Sequence, residues 1–146
     1  MDEKKTLFEL IGGRPALQRV HKLFYDKVYA NPELKHYFAN TNQVTIEEQQ
    51  TNFMTGKMGG GKIFTGKTPE NCHVRMFITK ELFDLRNNLL KESILEYGIS
   101  GERLERWMAI NNAFERAIVK NDPSECKKRF LGDEILYPAN WKRKDT

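Results

Sequence analysis

The sequence is poor in the residues that build disulfide frameworks, signal peptides and membrane spans. Its 146 residues include only two cysteines, Cys72 and Cys126, which cannot form a disulfide framework and are typical of a reducing compartment. No apolar run approaches the ~20 residues that a membrane-spanning helix needs. The opening residues MDEKKTLFEL lack the apolar region of a signal peptide. We therefore expect a cytoplasmic protein that is neither inserted in a membrane nor secreted.

The chain has no large excess of charge of one sign, because it contains 24 Lys and Arg residues and 20 Asp and Glu residues. Much of the small positive excess lies near the end of the chain, in residues 127–129 and 142–144. Such a cluster is typical of a solvated tail that frays. The alternative is an arm for nucleic acid or an anionic membrane, but no recognition helix or RNA-binding motif accompanies it. We expect neither nucleic acid nor a membrane as a partner.

Sustained alternation of apolar and polar residues, the pattern of a half-buried strand, is absent. Apolar residues recur instead at three- and four-residue spacing, as at Leu17, Val20 and Phe24. No internal repeat or low-complexity linker divides the chain. The sequence therefore predicts an all-α fold in a single domain, residues 1–146, with residues 121–146 as a C-terminal extension.

Hydroxyl side chains, prolines and glycines mark where the predicted helices begin and end. Thr6 and Glu9 form the pattern of a capping box, in which the hydroxyl accepts from a first-turn amide and the carboxylate reaches back. Beyond residue 122 we expect short helix or coil with apolar side chains available to dock. Further helices are predicted from Pro15 to Asn31, from about Val44 to Met58, from Thr68 to near Phe77, from Thr79 to Gly98, and from Ser100 through Ile118.

Metal-binding and catalytic motifs are missing as well. The only histidines are His21, His36 and His73, and there is no HxxH, HExxH, CxxC, GxSxG or P-loop pattern. A metal site made of protein ligands alone is therefore poorly supported. Haem needs less from the protein, because the porphyrin supplies four nitrogens and one imidazole suffices. On the residues alone, a lone histidine such as His73 is more often structural or solvated than a ligand.

Two stretches of the sequence carry a distinctive pattern. The first is LFELIGGRPALQRVHKLFYDKVYANPELKHYF, and the second is QQTNFMTGKMGGGKIFTGKTPENCH, which ends in a histidine. The first is similar to the opening of the truncated haemoglobins, the short two-over-two globins, and the second to that family's run that ends in a histidine. The resemblance covers roughly Thr6 to Lys120. It implies a two-over-two helical sandwich around haem b, with His73 as the proximal ligand of the iron.

The resemblance also implies roles around the haem. Tyr25 matches a tyrosine that points at the distal face, Phe24 its packing neighbour, and Gln50 a second polar distal position. Phe38 and Phe53 match aromatic residues of the haem wall. A buried phenol and amide would stabilise the partial negative charge of iron-bound O₂, although on the residues alone both side chains are also compatible with solvated helix positions. Three weaker candidates for the porphyrin edge or the propionates are Lys62, Phe64 and Arg75.

The sequence departs from the family pattern at three positions. Ile46 stands at the distal gate, where many members carry a polar or small residue. Gln49 replaces a histidine that in some members binds the sixth site, which leaves Tyr25 or water as sixth ligand. Arg86 stands where a large branch carries tryptophan, and we expect it to extend to solvent along its stem; the alternatives are contact with ligand or propionate and an ion pair. The candidate partners for that ion pair are Glu47, Glu48 and Asp84.

These features predict a haem protein that reversibly binds O₂, NO and CO at a His-ligated iron, in O₂ binding and transport or in NO detoxification. We expect a monomer or a small homo-oligomer. Because the sequence shows no flavin or nicotinamide domain, conversion of NO to nitrate would need a separate electron-donating reductase; a sensor role would need an output domain. The alternative is a non-haem helical interaction module with a basic C-terminal arm.

Overall fold

A computed structural model describes residues 5–61, 73–128 and 130–139. Within them the regular structure is helical, and extended backbone pairing is limited to two isolated parallel bridges. The predicted all-α class is therefore confirmed. The α-helices are α1 (Leu7–Ile11), α2 (Gly13–Ala30), α3 (Gln43–Lys57), α4 (Lys80–Tyr97), α5 (Gly101–Asn112) and α6 (Glu115–Ile118), with 3₁₀ turns at Lys35–Phe38 and Pro123–Glu125.

Several helix ends are set by the capping residues that the sequence marks. The Thr6 hydroxyl accepts from the Glu9 amide at 3.2 Å, and the Thr79 hydroxyl accepts from the Leu82 amide at 3.2 Å. Gly98 ends α4 with φ 107°, a left-handed conformation that favours glycine. The prediction was wrong for Ser100, whose side chain makes no capping hydrogen bond.

α2 lies at the centre of the core because its apolar residues cover more than one side. It packs against α3 and against α4, while α4 also packs on α5. Leu17, Val20, Phe24 and Val28, all fully or almost fully buried, form the stripe that these helices cover. No helix in the described part of the chain is both long and apolar enough to cross a membrane.

Two predicted helices end earlier than expected. The run predicted from Ser100 through Ile118 ends as α5 at Asn112, and a turn at residues 113–114 separates it from α6. The helix predicted from Thr68 to near Phe77 begins outside the described residues; its described part is helical only at His73. The next residues form turns and bridges instead, because the C-terminal segment pairs with them.

The C-terminal segment is a structured part of the fold, so the expectation of a fraying tail was wrong for its described residues. Its backbone runs beside the residues that follow His73, with amides of Lys127 and Leu136 donating to carbonyls of Val74 and Arg75 at 2.7 and 2.8 Å. The amide of Phe77 donates in return to the carbonyl of Leu136 at 2.7 Å. Such pairing satisfies backbone groups that a continued helix would otherwise satisfy.

Side chains of the tail divide between docking and solvent. Leu136 packs against the core cluster, as the docking prediction requires, whereas Phe130 is 62% exposed. The side chains of Lys127 and Lys128 are solvated. Trp141 and the basic residues at 129 and 142–144 lie outside the described residues.

Lys120 ties the start of this tail to the segment that carries His73. Its Nζ donates to the carbonyls of His73 and Met76 at 2.6 and 2.8 Å. We expect Lys120→Met to lower the free energy of unfolding by about 1–2 kcal/mol, because two carbonyls lose a charged donor. Urea unfolding followed by far-UV circular dichroism measures the change. Lys127→Met removes the same charge from an exposed side chain and should change stability little; equal losses in both variants would contradict the role of the Lys120 hydrogen bonds.

Candidate functional site

A mainly apolar cavity of about 500 Å³ lies among α2, α3, α4 and the segment that begins at His73. Its volume is within the range of small-molecule and cofactor sites. Two of the residues proposed from the sequence, Lys62 and Phe64, lie outside the described residues. The other nine all line the cavity: Phe24, Tyr25, Phe38, Ile46, Gln49, Gln50, Phe53, His73 and Arg75.

His73 reaches the cavity from a segment whose described backbone is held by hydrogen bonds. Its carbonyl accepts from the Met76 amide at 3.0 Å as well as from Lys120 Nζ. The next residues are paired with the C-terminal segment. The chain therefore presents one imidazole to the cavity on a restrained backbone, the arrangement that a single axial ligand needs. Its role as an iron ligand stays a prediction.

Tyr25 lies on the buried face of α2 and is 4% exposed. Its ring makes edge contacts with Phe24 and Phe38, with ring centroids 4.8 and 6.0 Å apart. Phe38 is in turn 5.5 Å from the ring of Tyr29. These contacts fix the phenol ring at the cavity wall, which rules out the alternative of a solvated helix-edge tyrosine.

α3 contributes one face to the cavity. Ile46, Gln50 and Phe53 are half-buried there, and the exposed Gln49 lies at the rim. Phe53 also packs on Phe114, with ring centroids 5.3 Å apart. Gln50 therefore lies on the inward side of its helix, as its spacing from Ile46 and Phe53 predicts; the donor role remains a prediction.

Arg86 does not extend to solvent, so that expectation was wrong. Its guanidinium carbon lies 5.1 Å from the centroid of the Phe24 ring, and Nη1 donates to Asn111 Oδ1 at 2.6 Å. Burial lowers the pKa of Arg86. None of the ion pairs in the described part of the chain joins it to the carboxylates proposed as partners. The side chain turns inward because an aromatic face and an amide oxygen receive it.

Two asparagine side chains, Asn87 and Asn111, accept hydrogen bonds from Arg86. Asn111 is buried, and its spacing from Leu104 and Trp107 places it on the apolar face of α5. Its Nδ2 donates to Asn87 Oδ1, which also accepts from Arg86 Nη1 at 3.5 Å. Nothing in the spacing of Asn87 along α4 indicated this role, because it depends on which helix packs opposite.

His21 lies on α2 and is fully buried, with 1% exposure. Its Nδ1 is hydrogen-bonded to Thr51 Oγ1 at 2.8 Å, and its ring meets the edge of Trp107. Burial and then the charge of Arg86 lower its pKa from 6.5 to about 3. The imidazole is therefore neutral at physiological pH and serves the core rather than the cavity.

This buried imidazole predicts a pH dependence of stability. Between about pH 6.5 and 3 the unfolded chain binds a proton at His21 that the folded chain excludes, so stability falls as the pH falls through that window. By about pH 5 the loss from this group is about 2 kcal/mol. We expect His21→Phe to lessen the decrease in urea midpoint between pH 7 and pH 5. Thr51→Val keeps the imidazole and should keep the decrease; an unchanged pH dependence in His21→Phe would contradict the assignment.

Arg75 joins the cavity to the C-terminal segment. Its Nη1 lies 4.0 Å from Oδ1 of Asp133, whose side chain is only 3% exposed. The same nitrogen is 3.5 Å from the carbonyl oxygen of Glu134. The tail thus positions a cation at the cavity wall, where the proposed contact with a propionate remains a prediction.

Sequence and structure comparisons relate this arrangement to known proteins. The bacterial-like globin family matches residues 6–120. A group 1 truncated haemoglobin of Tetrahymena thermophila is 35% identical over 102 residues, which are 70% of this chain and 84% of that protein. This chain belongs to the truncated haemoglobin family. Membership implies haem as the cofactor and ligand binding at the haem.

Solved structures confirm the two-over-two globin fold. The truncated haemoglobin of Tetrahymena pyriformis in its Fe(III) form superposes with a TM-score of 0.75 at 27% identity, covering 80% of this globin and all of that chain. A group II truncated haemoglobin of Bacillus anthracis has the same TM-score at 22% identity, covering 85% and 99% of the two chains. The second likeness shows the shared fold alone.

The residues of the cavity fit a haem. Its volume suits a porphyrin-sized ligand, and its walls are mainly apolar with few polar groups. One imidazole, that of His73, lines the cavity, and a haem iron needs one from the protein. The phenol of Tyr25 and the amide of Gln50 are among the polar groups of the lining. Two cations, Arg75 and Arg86, also line the cavity.

Proposed function

We propose that this globin holds haem b through His73 and binds O₂, NO and CO beside Tyr25 and Gln50. The observation that supports the proposal is the meeting of these three side chains on one apolar cavity, although they come from three separate parts of the chain. Haem, when bound, would supply an iron that can take a diatomic ligand. The protein supplies the imidazole, the enclosure and the hydrogen-bond donors.

The donors decide which ligand is retained. A phenol and an amide donate hydrogen bonds to a ligand that has gained negative charge, and such bonds are stronger than those between neutral groups. The aromatic walls of Phe24, Phe38 and Phe53 exclude water and so lower the local dielectric constant, which strengthens them further. O₂ is therefore held more firmly than its weak intrinsic affinity for a bare haem would allow.

Two roles follow from this binding, and we propose both as candidates: O₂ binding and transport, and NO detoxification. In detoxification NO, O₂ and one electron combine to give nitrate, so an electron-donating reductase has to act as partner. Supplying NO, O₂ and a reductase to the haem-loaded protein and measuring nitrate over many turnovers separates the two, because a single turnover per haem is expected of any ferrous O₂ complex. Sustained nitrate formation supports detoxification, and a reaction that stops after one turnover supports O₂ binding and transport.

The absorption spectrum is the test of haem binding itself. We expect a Soret band in the ferric, ferrous and ferrous-CO forms after expression with haem supplementation. A folded protein that stays colourless under those conditions would refute the proposal and favour a helical interaction module instead.

A further inference from the structure

Arg86 places a positive charge in the cavity, and its contacts among the described residues are with neutral groups. Nη1 donates to the amide oxygens of Asn111 and Asn87, and the guanidinium lies over the ring of Phe24. A buried cation without a counter-ion costs free energy, so such groups are normally paired. The arrangement therefore leaves an unbalanced charge on the wall where ligands bind.

Two of the three carboxylates proposed as partners are engaged elsewhere. Asp84, on the same helix, pairs with Lys80 at 2.9 Å. Glu47 on α3 accepts from Gln43 Nε2 at 2.9 Å. The buried imidazole of His21 is neutral, so it neither adds to nor cancels the charge. None of the ion pairs of the described residues includes Arg86, which leaves its charge to be balanced by a ligand.

The guanidinium is held in a fixed orientation. The ring of Phe24 supports its face and Asn111 anchors Nη1, while the other nitrogens of the plane are not used by these two contacts. Phe24 is also the ring against which Tyr25 packs, so the guanidinium and the phenol flank one aromatic side chain. A rigid fork of donors with its orientation preset loses little entropy when it binds an anion.

We propose that Arg86 sets the selectivity of this cavity for the ligands of a ferric haem, by strengthening the binding of small anions such as azide. This inference rests on the proposed haem binding and names the residue that distinguishes anionic from neutral ligands. Arg86 acts as a specificity-determining residue: it favours anionic over neutral ligands of the ferric protein. Tyr25 supplies a second donor at the same place.

The test compares azide and imidazole, an anionic and a neutral ligand, by optical titration of the ferric haem-loaded protein at neutral pH. We expect Arg86→Met to weaken azide binding tenfold or more, as the loss of a hydrogen bond to a charged group implies, and to change imidazole binding less than about twofold. Arg86→Lys, which keeps the charge, should fall between. Arg106→Met removes the same charge from an exposed position and should change neither.

The C–O stretching frequency of bound CO reports the charge of Arg86 in the absence of an anionic ligand. A positive potential at the ligand lowers the C–O stretching frequency of the ferrous CO complex, so we expect Arg86→Met to raise it and Arg106→Met to leave it unchanged. Reconstitution with haem dimethyl ester separates the ligand site from a propionate contact. If the azide difference between wild type and Arg86→Met disappears with the ester, Arg86 binds a propionate and the proposal is wrong.

The remaining outcomes are also decisive. An Arg86→Met variant with a normal Soret band and unchanged azide affinity refutes the anion site while leaving haem binding intact. Equal losses of azide and imidazole affinity point to altered packing and refute it too. A wild-type protein that takes up no haem refutes both this inference and the function on which it rests.

Discussion

His73→Ala is expected to lose its haem, or to retain it only in a weak complex with an altered spectrum. The imidazole of His73 is the one that lines the cavity among the described residues, since His21 is bonded to Thr51 in the core and His36 to the carbonyl of Tyr137. No second histidine is placed to replace it. The measurement is the Soret absorbance per protein after gel filtration, together with the five-coordinate ferrous spectrum.

Two comparisons separate ligation from folding. His73→Gly leaves room for a free imidazole, so adding imidazole should restore haem binding if His73 is the axial ligand. Cys72→Ser changes the neighbouring residue, which lies outside the described residues, and should leave the Soret band in place. A His73→Ala protein with a normal five-coordinate ferrous spectrum would show that the axial ligand is another residue.

Tyr25→Phe is expected to release O₂ roughly 10- to 150-fold faster. The change removes one hydroxyl and keeps the ring that packs on Phe24 and Phe38. The loss corresponds to about 1.5–3 kcal/mol for a hydrogen bond to a charged acceptor. CO carries less charge when bound, so its release should change much less. Stopped-flow displacement of each gas from the ferrous protein measures both rates.

The chain offers a matched control four residues away. Tyr29 lies on the same helix, but its hydroxyl donates to the carbonyl of Thr41 at 2.8 Å instead of lining the cavity. Tyr29→Phe should leave O₂ release unchanged. If Tyr25→Phe accelerates the release of O₂ and CO equally, the tyrosine acts through its volume and not through a hydrogen bond.

Gln50→Leu should act in the same direction as Tyr25→Phe. When two donors serve one ligand, their effects are coupled, so the double variant should lose less or more than the sum of the two single losses. Additive effects would indicate that the two side chains act independently and not as one network.

Local signals in the sequence determined most of the helix boundaries. Thr6, Thr79 and Gly98 act at the positions expected because capping depends on a side chain and on amides within one turn of it. The stripe on α2 followed from apolar spacing, because a helix face is a property of the segment itself. The resemblance to the truncated haemoglobins carried the site residues, nine of which meet on the cavity.

Tertiary structure alone decided the features that depend on a partner distant in sequence. The helix expected to run through Ile118 breaks after Asn112, and the residues after His73 leave the helical pattern where the C-terminal segment pairs with them. The helix propensity of a short stretch of sequence contains no information about a backbone partner some 60 residues later in the chain. For the same reason the sequence predicted that apolar side chains of the tail dock, but it did not predict against which residues they dock.

The direction of Arg86 shows the same limit for a side chain. A long stem with a charged end can extend to solvent or turn inward, and the sequence of α4 allows both. The choice was made by Phe24 on α2 and Asn111 on α5, which approach only when the helices pack. The sequence by itself determined most of the helices and, through the resemblance, the family and the candidate site residues. Packing decided that Arg86 turns toward the cavity, because that depends on neighbours that only the folded chain brings together.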